Sequence, residues 1–295
     1  MAMRRLHLLK FASSSALANP STSTRTFANS AGQQFTTLNV DDKTGIATLT
    51  LNRPPANALN AASMSEIQRT IQDLEKSKCR GLILTSASDR IFSAGLDLKE
   101  CYQADTASLK AIFCALQNLW HTLFATPLTT VALINGHAMA GGCLLAASSE
   151  YRIMLPNFKI GLNDTMAGLG VPMFVMDSYT NAVSSRRIAE RDLTASRVYS
   201  SEEALQAGLV DEVATSKEQA LEKAVALINS FEPRTLTARA KTKLLFRAEI
   251  LKNFEKNSQH DLDIFLSTIQ RPEVQAYLGK YLQSLKNRQS KQAKA

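Results

Sequence analysis

The sequence is poor in the residues that build disulfide, metal or membrane structures. Its four cysteines, Cys79, Cys101, Cys114 and Cys143, form no C-x-x-C pair and are too sparse for a disulfide scaffold, as expected in a reducing compartment. Its four histidines, His7, His121, His137 and His260, lack metal-ligand spacing, so no metal site is expected. Long apolar runs are also missing. Stretches such as Val131 to Ile134 and Leu144 to Ala147 fall far short of the roughly 20 residues that cross a bilayer, and the mature protein is expected to be soluble with no membrane span. There is no G-x-G-x-x-G or P-loop pattern, and Ser93 does not sit in a G-x-S-x-G elbow. These absences disfavour dinucleotide, phosphoryl-transfer and serine-hydrolase chemistry. No RNP-like aromatic motif or dense Lys/Arg helix is present, so nucleic acid is not an expected partner.

Acidic residues are absent before Asp41, where Arg4, Arg5, Lys10 and Arg25 are the only charges and serine and threonine crowd Ser13 to Ser30. An Arg-bearing, Ser-rich, acid-free leader is the pattern of a mitochondrial transit peptide. We therefore expect residues 1–30 to be a disordered leader, cleaved near Arg25 to Ala28, and the mature chain to reside in the mitochondrial matrix. Without the four leader cations, the formal charge of +8 from 34 basic and 26 acidic residues falls to +4. At the other end no acid follows Glu273, and Lys280, Lys286, Arg288, Lys291 and Lys294 form a basic run. Such a run reads as a frayed, solvated tail, with contact to a phosphorylated ligand or nucleic acid as the alternative.

At 295 residues and 45% hydrophobic content, the chain can bury one large core or two modest ones. Ile46 to Leu51 alternates like a strand and ends at Arg53-Pro54-Pro55. Met64, Ile67, Ile71 and Leu74 carry helical spacing over Ser63 to Lys76, with Asn60 or Ser63 as the cap. Leu82 to Thr85 reads as a buried strand, Ser86 to Gly95 as a loop, and Asp97 as the start of a helix. The strand Thr129 to Asn135, the turn Gly136 to Gly142 and the helix Cys143 to Ser149 repeat the plan, followed by short strands at Tyr151 to Leu155 and Phe158 to Ile160. Strand, turn and helix units of this kind imply a layered α/β sheet with ligands at the strand exits. Beyond Pro172 the pattern is helical, with candidates at Ser184 to Leu193, Ser201 to Ala207, Lys217 to Phe231, Leu236 to Asn257 and Asp261 to Ile269.

Three segments could carry chemistry. Phe92-Ser93-Ala94-Gly95-Leu96-Asp97-Leu98 and Asn135-Gly136-His137-Ala138-Met139-Ala140-Gly141-Gly142-Cys143 each follow a strand and open a helix. Such turns expose unpaired N–H groups at the positive end of a helix, and two facing each other can hold one developing oxyanion. Taken singly, either turn is weak evidence, and tight packing of small residues explains it better. The third, Ile160-Gly161-Leu162-Asn163-Asp164-Thr165-Met166-Ala167-Gly168, sets one carboxylate among apolar and glycine neighbours. Desolvation would raise its pKa toward the range useful for proton transfer. On local sequence alone, an Asx turn or helix cap at Asn163 and Asp164 is the better explanation.

In combination, order and spacing, the three segments resemble the signature of the crotonase superfamily, from about Gly45 through Val213, and most of all its enoyl-CoA isomerase branch. The resemblance implies a spiral of ββα units over residues 35–232 and a helical C-terminal trimerisation section over residues 233–295. It puts the oxyanion-hole N–H groups on Leu96 and Gly141. It makes Ala94, Gly95, Leu96, Asp97 and Leu98, with Gly141 and Asn163, the lining of the acyl-CoA site, and it makes Asp164 the proton-transferring residue. Hydratases of this family use two glutamates, and Leu144 occupies the first of those positions here. Asp164 stands where the isomerases carry glutamate, one methylene longer. The implied reaction converts a cis- or trans-3-enoyl-CoA into the trans-2-enoyl-CoA that β-oxidation processes. No metal or redox cofactor is implied, coenzyme A being part of the substrate, and Lys99, Lys241 and Lys243 are candidates for its phosphates. The competing expectations are another crotonase-type reaction, hydration or thioester hydrolysis, and an inactive acyl-CoA-binding paralogue.

Overall fold

The computed structural model describes residues 34–77 and 79–292. The leader expected over residues 1–30 lies outside them. The first described element is a strand the sequence did not suggest: β1 (Thr36–Asp41), antiparallel to β2 (Ile46–Leu51). It is held from below by Glu66, whose carboxylate accepts the Phe35 and Thr36 N–H groups and the Thr36 hydroxyl. Glu66 belongs to α1 (Ala61–Lys76), which begins at the expected cap: Asn60 accepts from the Ser63 N–H at 2.9 Å and Ser63 Oγ accepts from the Asn60 N–H at 3.0 Å. Met64, Ile67, Ile71 and Leu74 all face inward, as their spacing predicts.

From there one pattern is repeated. β3 (Gly81–Ser86) joins the large sheet, β4 (Ile91–Ser93) starts a small one, and α2 (Leu98–Cys101) and α3 (Thr106–Ala125) follow. β5 (Thr129–Ile134), β6 (His137–Met139) and α4 (Gly141–Ser148) repeat it. So do β7 (Tyr151–Met154), β8 (Lys159–Gly161), a 3₁₀ turn at Asp164–Ala167 and α5 (Met173–Ala182). The chain then runs through α6 (Arg186–Thr194), β9 (Tyr199–Ser200), α7 (Ser201–Ala207), β10 (Glu212–Val213) and α8 (Lys217–Ser230). The large sheet has the order β1-β2-β3-β5-β7-β10 and the small one β4-β6-β8-β9. Both are parallel except at the β1/β2 and β8/β9 pairs. This is the α/β spiral of ββα units expected from the sequence. β3 and β5 are buried at every position because helices cover both faces. Leu82, Leu84, Ala132 and Ile134 pack into the main core, while Ile83, Val131 and Leu133 pack under Ala220, Ala224 and Ile228 of α8.

The C-terminal section departs from expectation in two ways. Leu236–Ile269 is one continuous helix, α9, not two, because Ser258-Gln259-His260 is polar but contains no helix breaker. Lys280, Lys286, Arg288 and Lys291 of the basic run belong to a further helix, α10 (Pro272–Gln292), not to a frayed tail, and Lys294 lies outside the described residues. Proline at its first position suits a helix start, and Val274 and Leu278 are buried in the main core with Leu262, Phe265 and Ile269 of α9.

A buried charge cluster pins α9 to the sheet. Glu150 accepts from Arg239 at 2.6 Å, from Lys243 at 2.9 Å and from the Thr130 N–H at 3.0 Å. Lys243 also donates to the Leu128 carbonyl, and Arg247 to the Phe124 carbonyl. Burial pulls the Lys243 ammonium down to about 8, and the Glu150 charge opposes that shift. Removing one partner of a buried cluster strands the others. Glu150→Gln is accordingly expected to lower unfolding free energy by about 3 kcal/mol in urea titration. A loss below about 1 kcal/mol, the range of an exposed ion pair, would show that water already solvates the cluster.

Candidate active site

The two small-residue turns meet above the strand ends. The first is threaded through the segment after β2: Leu59 N–H donates to Gly95 O and Asp97 N–H to Leu59 O, at 2.8 and 2.9 Å. In that parallel bridge the Leu96 N–H points to the opposite side. The second turn is tied to β8 by the Ala140 N–H, which donates to Gly161 O at 2.9 Å, and it opens α4 without a side-chain cap. Among the described residues neither the Leu96 nor the Gly141 N–H has an acceptor. A Cβ placed on Gly141 would stand 3.2 Å from Gly95 Cα and 3.6 Å from Leu96 N, so the two amides lie side by side.

Two backbone conformations suited to glycine maintain this approach. Gly95 has φ +83°, and a Cβ there would come within 2.8 Å of the Gly141 nitrogen, which only glycine avoids. Ala140 has φ +48° and ψ −116°, a region that costs an L-residue on the order of 1–3 kcal/mol. Alanine therefore holds a conformation natural to glycine, and this aims the next N–H, that of Gly141, outward from the turn.

These amides open on a cavity of about 260 Å³ lined by Ala94, Leu96, Leu98, Met139, Ala140, Gly141, Leu144, Leu162, Asn163 and Asp164. Its far walls come from α3, α5, α9 and α10, through residues such as Phe113, Val175, Phe265 and Tyr281. Among the described residues, Asp164 is the only ionisable carboxylate in the lining, and no lysine or arginine joins it. It heads the 3₁₀ turn, its Oδ2 enclosed and without a hydrogen-bond partner. Burial pushes its pKa up to about 6, against a small opposing contribution from its own N–H. Behind it, burial and the Asp164 charge keep the Cys143 thiol neutral.

Two of the expected lining residues are turned elsewhere. Gly95 shapes the turn without reaching the cavity wall, and Asp97 forms a 2.7 Å ion pair with Arg53 and caps α2 through the Lys99 N–H. Lys243 is corrected as a phosphate ligand, since it is buried against Glu150. Lys241 lines a separate groove beside Leu236 and Arg239, and Lys99 is exposed. Ser93 and His137 do not pair: Ser93 donates to Asn57 O, and His137 Nδ1 accepts from the Lys159 N–H against the Phe158 ring. The aromatic walls went unrecognised in the sequence because Phe113, Phe265 and Tyr281 are distant in the chain and read locally as ordinary helix residues.

Residues 41–291 match the family described as enoyl-CoA hydratase/isomerase. The chain is 37% identical over 251 residues to enoyl-CoA delta isomerase 1, mitochondrial, of Rattus norvegicus, covering 84% of this chain and 86% of the rat protein. It is 34% identical over 258 residues to the Homo sapiens protein of the same name, covering 86% and 85%. Among solved structures, human mitochondrial delta3-delta2-enoyl-CoA isomerase superposes with a TM-score of 0.82 at 34% identity, over 86% of this chain and 99% of that one. An enoyl-CoA hydratase from Bacillus halodurans gives a TM-score of 0.74 at 21% identity, a likeness of fold alone.

The raised carboxyl has a consequence for stability. Below about pH 4 Asp164 is protonated whether the chain is folded or unfolded; above about pH 6 folding must bury it ionised. Its unfavourable contribution is therefore absent in acid, grows between these limits and is complete at neutral pH. Asp164→Asn is expected to melt at higher temperature than the parent at pH 7.5, with the difference vanishing toward pH 4. An equal or lower melting temperature at pH 7.5 would mean that the carboxylate is solvated.

Proposed function

The chain belongs to the enoyl-CoA hydratase/isomerase family, and on that premise we propose that it is an enoyl-CoA isomerase moving the double bond of a cis- or trans-3-enoyl-CoA to the trans-2 position. The observation that carries this reading is a single enclosed carboxylate, Asp164, in the same cavity as two unpaired backbone N–H groups. The thioester oxygen accepts from the Leu96 and Gly141 N–H groups, whose hydrogen bonds strengthen as the enolate forms and so lower the barrier. Asp164 takes a proton from C2 and returns one at C4, acting first as base and then as acid. A pKa near 6 serves both steps close to neutrality. Ala94, Leu98 and Asn163 line the thioester end, while Gly95 and Asp97 act through the turn they shape.

Adding water would need a second carboxylate, and Leu144 fills that place with an apolar side chain. This favours isomerisation over hydration. No step calls for a metal or a redox cofactor. The names of the rat and human relatives support a mitochondrial location, and the acid-free leader supports import into the matrix. A homotrimer formed through the helical C-terminal section is the assembly we assign. Leu245 and Phe246, 75% and 84% exposed on α9, are suited to such contacts.

Protein lacking residues 1–30, given a 3-enoyl-CoA, is expected to produce the conjugated 2-enoyl thioester, and Asp164→Asn to be slower by at least about 100-fold. Tight acyl-CoA binding without turnover would identify an inert binder. Equal rates for the two proteins would exclude Asp164 as the base.

A further inference from the structure

Asp164 sits on a side chain with two rotatable bonds where glutamate would have three, so its carboxylate can do little to correct an error in the backbone beneath it. What fixes that backbone therefore matters. Within the turn the hydrogen bonds are local: the Gly168 N–H reaches the Asp164 and Thr165 carbonyls, and the Leu169 N–H reaches the Asp164 carbonyl. Such bonds shape the turn but do not locate it relative to the cavity. Among the described residues, one side chain in 162–170 makes hydrogen bonds to another element: Thr165, adjacent to Asp164. Its hydroxyl donates to the Leu193 carbonyl in the last turn of α6 at 3.0 Å. A hydroxyl has one proton to give, so the second contact, with Ser196 Oγ, must be donated by Ser196.

Both anchors are themselves fixed. Ser196 is buried at φ +53°, a strained conformation that persists where its surroundings over-determine it. The end of α6 is held by Asp192, which accepts from the Tyr179 and Tyr199 hydroxyls at 3.1 and 2.7 Å and, through its backbone carbonyl, from the Arg197 N–H. From this geometry we infer that the Thr165–Ser196 hydroxyl pair is a positioning device, locking the Asp164 turn onto α6 so that the short carboxylate is presented to the reacting carbons. The inference rests on Asp164 being the base, as proposed above.

Steady-state kinetics and pH profiles of full-length variants test it. Thr165→Val, nearly isosteric, should lower kcat about 10- to 100-fold, the cost of displacing a catalytic group by about 1 Å, with KM changed less than threefold. Thr165→Ser should restore most of the rate. Freed from its anchor, the turn admits water, so the acid limb of the kcat/KM profile should move below pH 6 toward the ordinary carboxylate range. A purely structural threonine would lower the melting temperature without moving that limb. Ser196→Gly removes the hydroxyl while relieving the strain at φ +53°, and it should reproduce the kinetic defect even if Thr165→Val fails to fold. An unchanged kcat and acid limb in whichever of these variants folds would overturn the inference. Full activity in Asp164→Asn would instead remove the reading on which it stands.

Discussion

The site depends on an unmet demand for hydrogen bonds. Among the described residues, one oxygen of the Asp164 carboxylate and the Leu96 and Gly141 N–H groups receive no partner from the protein itself, whereas most buried polar groups do. Here they share one largely apolar cavity, with nothing else charged in its lining among the described residues. A thioester suits this set: its oxygen is an acceptor for the amides, and its acidic C–H brings to the carboxylate a proton it can take. Because the protein itself offers these groups no partner, their hydrogen-bonding capacity is free to serve the transition state.

The fold supplies what this requires. Parallel strands alternate between the two sheets, and each return to the small sheet delivers a loop to the same rim: β4 leads to Leu96, β6 to Gly141 and β8 to Asp164. Three successive repeats thus give three functional groups. The strain at Ala140 is tolerated because the Ala140–Gly161 bond fixes its turn, and the Leu59–Leu96 bridge fixes the turn at Gly95. Far from the chemistry, the Glu150 cluster ties α9 to the sheet, and α9 in turn supplies Phe265 to the cavity wall.

How far this was legible in the sequence follows the range of the interactions involved. The strand at Ile46, the helix over 61–76 with its Asn60 cap, and the buried strands at 81–86 and 129–134 depend on local periodicity and were readable. β1, β4 and β6 were not: two are only three residues long, and all three exist because a partner strand lies beside them. The two amide turns were visible as small-residue motifs, but nothing local reveals that Ala140 adopts a glycine-like conformation. Asp164 stood out by its apolar setting, whereas Lys243 resembled any surface lysine until its pairing with Glu150, 93 residues away, was seen. The Asp97 carboxylate was assigned to the site by its place in the motif and is instead engaged by Arg53, 44 residues earlier.

The most direct test of the account is a crystal structure with a saturated acyl-CoA, which can bind but has no double bond to move. The thioester oxygen should lie about 2.7–3.1 Å from both the Leu96 and Gly141 nitrogens, with the Asp164 carboxylate against the carbons corresponding to C2 and C4. A thioester bound away from these amides, or an Asp164 side chain turned out of the cavity in the complex, would contradict it.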